Sequence, residues 1–258
     1  MSFAKKVSIL ICADKFDKYF KQAIYSCLNQ TFTDFEIILV VNGVSKENQY
    51  KFIAFSNKYE CIKLYFTDIH CLTYALNFGL DKCSGIYIAR MDADDIAYSE
   101  RLEKQVLFMD KNPDIAICGT FYELIDENNK KIKEVKLPVS DADIRRALYW
   151  SNPLSHPSAI IRSNILKKFC GYIGGIYAQD YDLWLRLSLD TTIKFYNINE
   201  ILLGYRKVNS GMARRSKLAY ANDASYCLRN FLLTGNILWL LGSFVFILKM
   251  LIRSNSKS

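Results

Sequence analysis

The sequence predicts an α/β fold built on one Rossmann-like, mostly parallel sheet flanked by helices. Three observations carry that expectation. Apolar runs rich in Val, Ile and Leu alternate with amphipathic segments of about ten residues, the pattern of parallel strands joined by crossover helices. One run, Ile86–Asp95 (IYIARMDADD), ends in the carboxylates Asp92, Asp94 and Asp95, at the strand end where open α/β sheets bind ligands. The 258 residues, 51% hydrophobic and 23% charged, suffice for one large core with a small appendage and exclude a disordered chain.

Taken in order, Val7–Ala13 reads as an apolar strand, and Asp17–Asn29 as a helix with Phe20, Ile24 and Leu28 on one face. Phe35–Val41 is the second strand, followed by a turn at Asn42-Gly43 and a helix over Lys46–Lys58. Ile62–Phe66 and Leu72–Lys82 form the third strand and helix. Ile86–Met91 is the fourth strand, and Ser99–Lys111 a helix that Asn112-Pro113 ends. Ile115–Tyr122 continues the sheet, and a polar turn at Asp126–Lys131 leads into Ile132–Val135. Asp141–Trp150 reads as a helix. The two prolines of Asn152–Arg162 (NPLSHPSAIIR) hold an irregular loop before a short strand, Ser158–Ile161. Gln179–Leu189 is a helix with Asp180 and Asp182 in its first turn, and Phe195–Ile198 and Ile201–Leu203 are two closing strands.

The eight cysteines are scattered, without a C-x-x-C pair, which fits reduced thiols in a cytoplasmic protein rather than a zinc site. Met1–Lys6 leads straight into VSILICA, too short for a secretory leader. The net charge of +8 is concentrated near the end. From Arg206 onward nine Lys/Arg face the single acid Asp223, which leaves 25 basic and 25 acidic residues in 1–205. Asn230–Leu248 carries no charge and is bounded by Arg229 and Lys249. Residues 207–258 therefore read as a basic, hydrophobic, helical tail that associates with an anionic membrane surface, lying in its plane, spanning it, or packing on the protein. Arg214, Arg215 and Lys217 favour the lipid contact, and no nucleic-acid recognition motif is present.

Three carboxylates this close repel one another unless a cation compensates. Mg²⁺ or Mn²⁺ takes such oxygen ligands and also holds substrate phosphates, so the acids point to a metal–diphosphate site. An acidic turn capping the next helix is the competing reading.

MDADD, NPLSHPSAIIR and QDYDLWLRL, in this order and at these separations, resemble family 2 glycosyltransferases of the GT-A fold, over about residues 7–206. The resemblance implies a catalytic domain over 1–206 that moves a sugar, with inversion, from a nucleotide-sugar to an acceptor hydroxyl with a divalent metal. A UDP-sugar donor is expected. The implied acceptor is a lipid-linked (polyprenyl diphosphate) sugar in O-antigen or capsule synthesis at the cytoplasmic face of the inner membrane. It makes Asp94 the metal-ligating carboxylate, Asp92 a second metal or ribose contact with Ala93 between them, and Asp95 an outer neighbour. Asp180 becomes the base, although the Glu expected before it is Gln179. The usual acid after the second strand is replaced by Asn42, and Cys12-Ala13-Asp14-Lys15 departs from the usual turn after the first, leaving Ala13 and Asp14 as the donor contacts there. Arg90 is placed to meet phosphate or pair with a neighbouring acid, and His156 to line the acceptor site or pack in its loop. Tyr205-Arg206 matches the family, but Val208 and Asn209 stand where a histidine often follows, so no histidine ligand is assigned. Two other functions compete: a non-catalytic, membrane-bound sugar-nucleotide binder, and a D-x-D phosphatase or phosphotransferase of the haloacid dehalogenase type.

Overall fold

Strands β1 (Val7–Ala13) and β2 (Phe35–Asn42) are buried along their whole length, as strands covered by helices on both faces must be. They pair in parallel, with β3 (Ile62–Thr67) beyond β2 and β4 (Tyr87–Asp92) on the other side of β1. Helices α1 (Lys18–Leu28), α2 (Lys46–Ser56) and α3 (Leu72–Lys82) make the crossovers. The computed structural model describes residues 5–207 and 216–252.

After β4 come a two-residue strand β5 (Ile96–Ala97), α4 (Arg101–Lys111), the long β6 (Ile115–Ile125), β7 (Lys131–Val135) and α5 (Asp141–Leu148). A 3-10 turn at His156–Ser158 precedes β8 (Ile160–Arg162), followed by α6 (Ser163–Lys168), α7 (Gln179–Ser188) and β9 (Lys194–Arg206). The sheet order is β3-β2-β1-β4-β8-β6-β9-β5, with β7 paired to β6. Only β8, β5 and β7 run antiparallel to their neighbours among the described strands. The alternating side chains of β1 and β2 feed two core layers. Leu10, Cys12, Ile38 and Val40 pack with Leu76 and Trp184 on one face, and Ile9, Ile11, Ile37 and Leu39 with Phe20, Phe52 and Met109 on the other.

Four local readings change. Phe195–Ile198 and Ile201–Leu203 belong to one strand, interrupted by a bulge where Thr120 pairs Ile198 but Phe121 pairs Ile201. Ser158 lies in the 3-10 turn, so the short strand starts later than expected and includes Arg162. Helix α6, too short to show a period, was not expected. The last change concerns the tail. Gly235, at φ +68°, caps α8 (Lys217–Thr234) and breaks the uncharged stretch before α9 (Ile237–Ile252) begins. No helix among the described residues is long and apolar enough to cross a membrane, so the spanning alternative falls. Arg214 and Arg215, like Val208 and Asn209, lie outside the described residues.

Both tail helices pack on the rest of the protein. Cys227 of α8 and Trp239 and Phe246 of α9 join the core layer that holds Tyr181 and Trp184. At Gly242 the approach is tight enough that a Cβ would lie 2.2 Å from the Tyr149 carbonyl oxygen. Phe246 is fully buried and meets the Tyr181 ring edge-on at 5.6 Å. Phe246→Ala should lower the unfolding free energy in urea by about 3 kcal/mol, the scale for truncating a buried aromatic. A loss under about 1 kcal/mol would show that α9 docks loosely.

Candidate active site

The last residues of β4 form a charge cluster supported from inside. Arg90 is buried, donates to the Leu10 carbonyl oxygen at 3.2 Å and pairs with Asp92 Oδ1 at 2.5 Å. Arg101, also buried, donates to the Arg90 carbonyl oxygen at 2.8 Å. The turn after Asp92 is pinned because β5 pairs antiparallel with β9 at Leu203 and Gly204. That pairing brings Arg206 across. Its backbone N–H donates to Asp95 Oδ1 at 2.8 Å, and its side chain donates to the carbonyl oxygens of Asp94 (2.7 Å) and Asp126 (2.9 Å) and to Gln22 (3.0 Å). The guanidinium lies 4.6 Å from the centre of the Tyr19 ring.

Asp94 faces solvent, yet the surrounding protein withdraws water from its carboxyl. That desolvation, followed by the charge of Asp92, pushes its pKa up to about 6. Asp95 is fully buried, and burial, then Asp92 and Asp94, push its pKa well up.

Two clefts meet at Asp92. The first, about 480 Å³, is lined by Asp14, Asn42, His70, Arg90, Asp92, Ala93 and Asp94. The second, about 400 Å³, is lined by Asp92, Tyr122, Asn152, His156, Gln179, Asp180 and Tyr205. A larger hollow of about 610 Å³ around Lys104 and Glu200 holds none of the expected residues.

Asp180 thus shares a cleft with Asp92 and accepts a hydrogen bond from Asn152 Nδ2 at 2.6 Å. Asp182 points elsewhere. It is buried between Arg186 (2.8 Å) and Arg229 (2.5 Å), as two positions along a helix, roughly 200° apart, require.

Other expected contacts are reassigned. Ala13 is buried in the core and does not line the cleft, because the last β1 side chain of its parity points between sheet and helices. Asp95 and Arg206 are turned inward and hold the turn, and neither lines either cleft. Arg90 lines the first cleft but is committed to Asp92. His156 borders the second cleft, but its Nε2 is engaged with the Tyr172 hydroxyl at 2.9 Å. Burial, then the Arg90 charge, hold its pKa well below the usual histidine value, so it is a neutral packing residue.

Sequence reasoning missed Tyr122, Asn152 and His70. Tyr122 and Tyr205 come together at 5.5 Å between ring centres from the ends of neighbouring strands, a juxtaposition no local pattern displays. Asn152 opens the NPLSHPS segment, where its position was the available signal. His70 Nε2 stands 3.7 Å from Asp14 Oδ2, beside the Asn42-Gly43 turn.

No group of three or more His, Cys, Asp or Glu among the described residues is arranged to enclose a metal ion. Asp92 and Asp94 are the available donors. Two carboxylates, one with a pKa raised by desolvation and then by the charge of the other, suit a hard cation that completes its shell with water and substrate phosphate.

A family model described as Glycosyl transferase family 2 matches residues 8–169. An O-antigen biosynthesis glycosyltransferase, WbnJ of Escherichia coli, is 38% identical over 88% of this chain and 89% of its own length. A UDP-Gal:alpha-D-GlcNAc-diphosphoundecaprenol beta-1,3-galactosyltransferase of Escherichia coli is 28% identical over 79% of this chain and 74% of its own. Among solved structures, S. aureus TarS 1-349 in complex with UDP-GlcNAc superposes with a TM-score of 0.70 at 16% identity, over 98% of this chain and 73% of that one. The chain spans 40% of the longer TarS chain. The mannosyltransferase PcManGT from Pyrobaculum calidifontis, in complex with GDP-Man and Mn²⁺, gives a TM-score of 0.61 at 12% identity, over 100% of this chain and 77% of that one.

The charge cluster has a pH signature. Asp94 keeps its proton up to about pH 6 in the folded protein, against an ordinary value of 3.8. Its contribution to stability is therefore full below pH 3.8 and lost as the pH rises through 6. Asp94→Asn, uncharged at every pH, should raise the melting temperature of the metal-free protein at pH 8 and leave it nearly unchanged at pH 4. An equal shift at both pH values would remove this account of Asp94.

Proposed function

The chain belongs to glycosyl transferase family 2 and has a GT-A-like fold, and from that premise we propose that it is a metal-dependent, inverting hexosyltransferase. Its donor is a UDP-sugar and its acceptor a hydroxyl of a lipid-linked sugar in O-antigen or capsule synthesis. The observation that carries this reading is that Asp180 and Asp92 line one cleft, while Asp94 opens on the adjoining one.

The nucleotide sits in the first cleft against Asp14 and Asn42, and its diphosphate reaches the β4 end. Asp94 and Asp92 would hold Mn²⁺ or Mg²⁺, whose charge offsets the charge gathering on the leaving diphosphate. The sugar lies over Asp92, and the acceptor enters the second cleft, where the Tyr122–Tyr205 rings offer a platform. The acceptor oxygen attacks the anomeric carbon on the face opposite the diphosphate. One carbon–oxygen bond forms as the bond to phosphate breaks, and the hydroxyl proton passes to Asp180. Asn152 holds that carboxylate in direction. Asn42 replaces a carboxylate at the nucleotide turn, and the relative named for UDP-Gal favours uridine over guanosine.

The tail supports peripheral attachment to the cytoplasmic membrane face by residues 207–258, with catalysis in 1–206. Helix α9 is apolar on two sides. Trp239 and Phe246 face the core, while Ile237, Leu241, Phe244, Leu248 and Leu251 form an exposed stripe at helical spacing. Such a stripe, on a helix that carries Lys249 in its last turn, suits an anionic interface, where a lipid-linked acceptor would also lie.

Asp180→Asn should reduce turnover with acceptor at least ~10²-fold, the usual scale for a lost base, and leave donor affinity unchanged. Donor affinity that falls in parallel with turnover, or turnover that survives, would mean another residue takes the proton. For the tail, Leu241→Glu with Phe244→Glu should abolish co-sedimentation with anionic vesicles at low salt and preserve the melting temperature. Wild-type protein that stays in the supernatant would refute the membrane assignment.

A further inference from the structure

The chain reaches Asp180 through residues 171–178, which form no helix or strand. The last of them, Ala178, stands at φ +58° and ψ +34°, with no side-chain cap on the first turn of α7. A residue with a Cβ occupies this left-handed region only when its surroundings hold it there.

Those surroundings are α8. Asn222 Nδ2 donates to the Tyr177 carbonyl oxygen at 2.9 Å. The Tyr226 hydroxyl accepts from the Gly175 N–H at 2.6 Å and donates to the Tyr177 carbonyl oxygen at 3.4 Å. On the other side Thr73 Oγ1 donates to the Gly175 carbonyl oxygen at 3.2 Å. The approach is close: a Cβ on Gly175 would lie 2.9 Å from Asn222 Nδ2 and 3.3 Å from the Tyr226 hydroxyl, so a larger residue would push both side chains aside. One helical turn further along α8, Arg229 pairs with the buried Asp182, so the same helix grips α7 on both sides of Ala178–Asp180.

We infer that Asn222 and Tyr226 are positioning residues for the base: by clamping Gly175–Tyr177 they fix Ala178 and so set the direction of Asp180 in the acceptor cleft. The inference rests on the reading of Asp180 as the base. Neither residue touches the clefts at Asp92, so their loss should leave the nucleotide site intact.

The test is the double variant Asn222→Ala/Tyr226→Phe, with Tyr226→Phe alone as the milder form that keeps the ring beneath Arg229. Turnover with acceptor should fall about 10- to 100-fold, the scale of a misplaced reacting group, while the donor dissociation constant and melting temperature stay unchanged. Hydrogen exchange of residues 173–178 should accelerate with no substrate present. Unaltered exchange in this segment, or unaltered turnover with faster exchange, would overturn the inference. So would a parallel loss of donor binding, turnover and melting temperature, which marks a general structural role. The exchange arm is independent of catalysis. If Asp180→Asn left wild-type turnover intact, the base assignment would fail, while exchange would still report on the clamp.

Discussion

Three carboxylates in four residues at the end of a buried strand impose the constraint that the rest of the site answers. Two unit charges 4 Å apart repel by about 4 kcal/mol at the effective dielectric of a protein surface. The fold answers from inside. Arg90 pairs with Asp92, and Arg206 fixes Asp95 through its backbone N–H and Asp94 through its carbonyl oxygen. The outward side of Asp92 and Asp94 faces the clefts, and desolvation, then the charge of Asp92, push the Asp94 pKa up. An uneven balance of this kind is weak as a structural device and suited to a ligand that brings its own charges.

The topology follows from holding that turn. Strand β9 is long and bulged because it both extends the sheet beside β6 and carries Arg206 back to the β4 end. The same path sets Tyr205 beside Tyr122 and above the acids. Burial, and after it the charges of Asp92, Asp95 and Asp94, push the Tyr205 hydroxyl pKa up, so it stays a neutral donor. The β1–β4 half of the sheet and the β6–β9 half therefore meet at Asp92, which borders both clefts.

The elements whose pattern is local were legible in the sequence. Val7–Ala13 and Leu72–Lys82 have the expected bounds, since an unbroken apolar run and a clear helical period leave little choice. The acids of the β4 turn and the different directions of Asp180 and Asp182 were also legible, the first from the strand end and the second from helix geometry. What stayed hidden depends on partners distant in sequence. Nothing near Arg206 says that it will be buried against Asp94 and Gln22, more than a hundred residues away. A split apolar run cannot show whether two strands or one bulged strand results. Likewise, uniform apolarity in α9 hides which side meets Tyr181 and which stays exposed.

Helix α7 joins these threads. Its period sends Asp180 into the second cleft and Asp182 into the interior, where Arg186 and Arg229 hold it. A buried carboxylate left without its cations is strongly destabilising, so the Asp182–Arg229 pair locks α7 and α8 together whatever its net contribution. Arg186 also donates to the carbonyl oxygens of Phe169 and Gly171, tying the start of the loop that leads to Asp180. Asp180 is thus held from below by an ion-pair network and from the side by the tail, although its own carboxylate sits at the cleft wall. Moving the tail helices would strip Asp182 of Arg229 and release the loop at the same time. A region that reads in sequence as an appendage is, in the fold, part of the frame that holds the loop before Asp180.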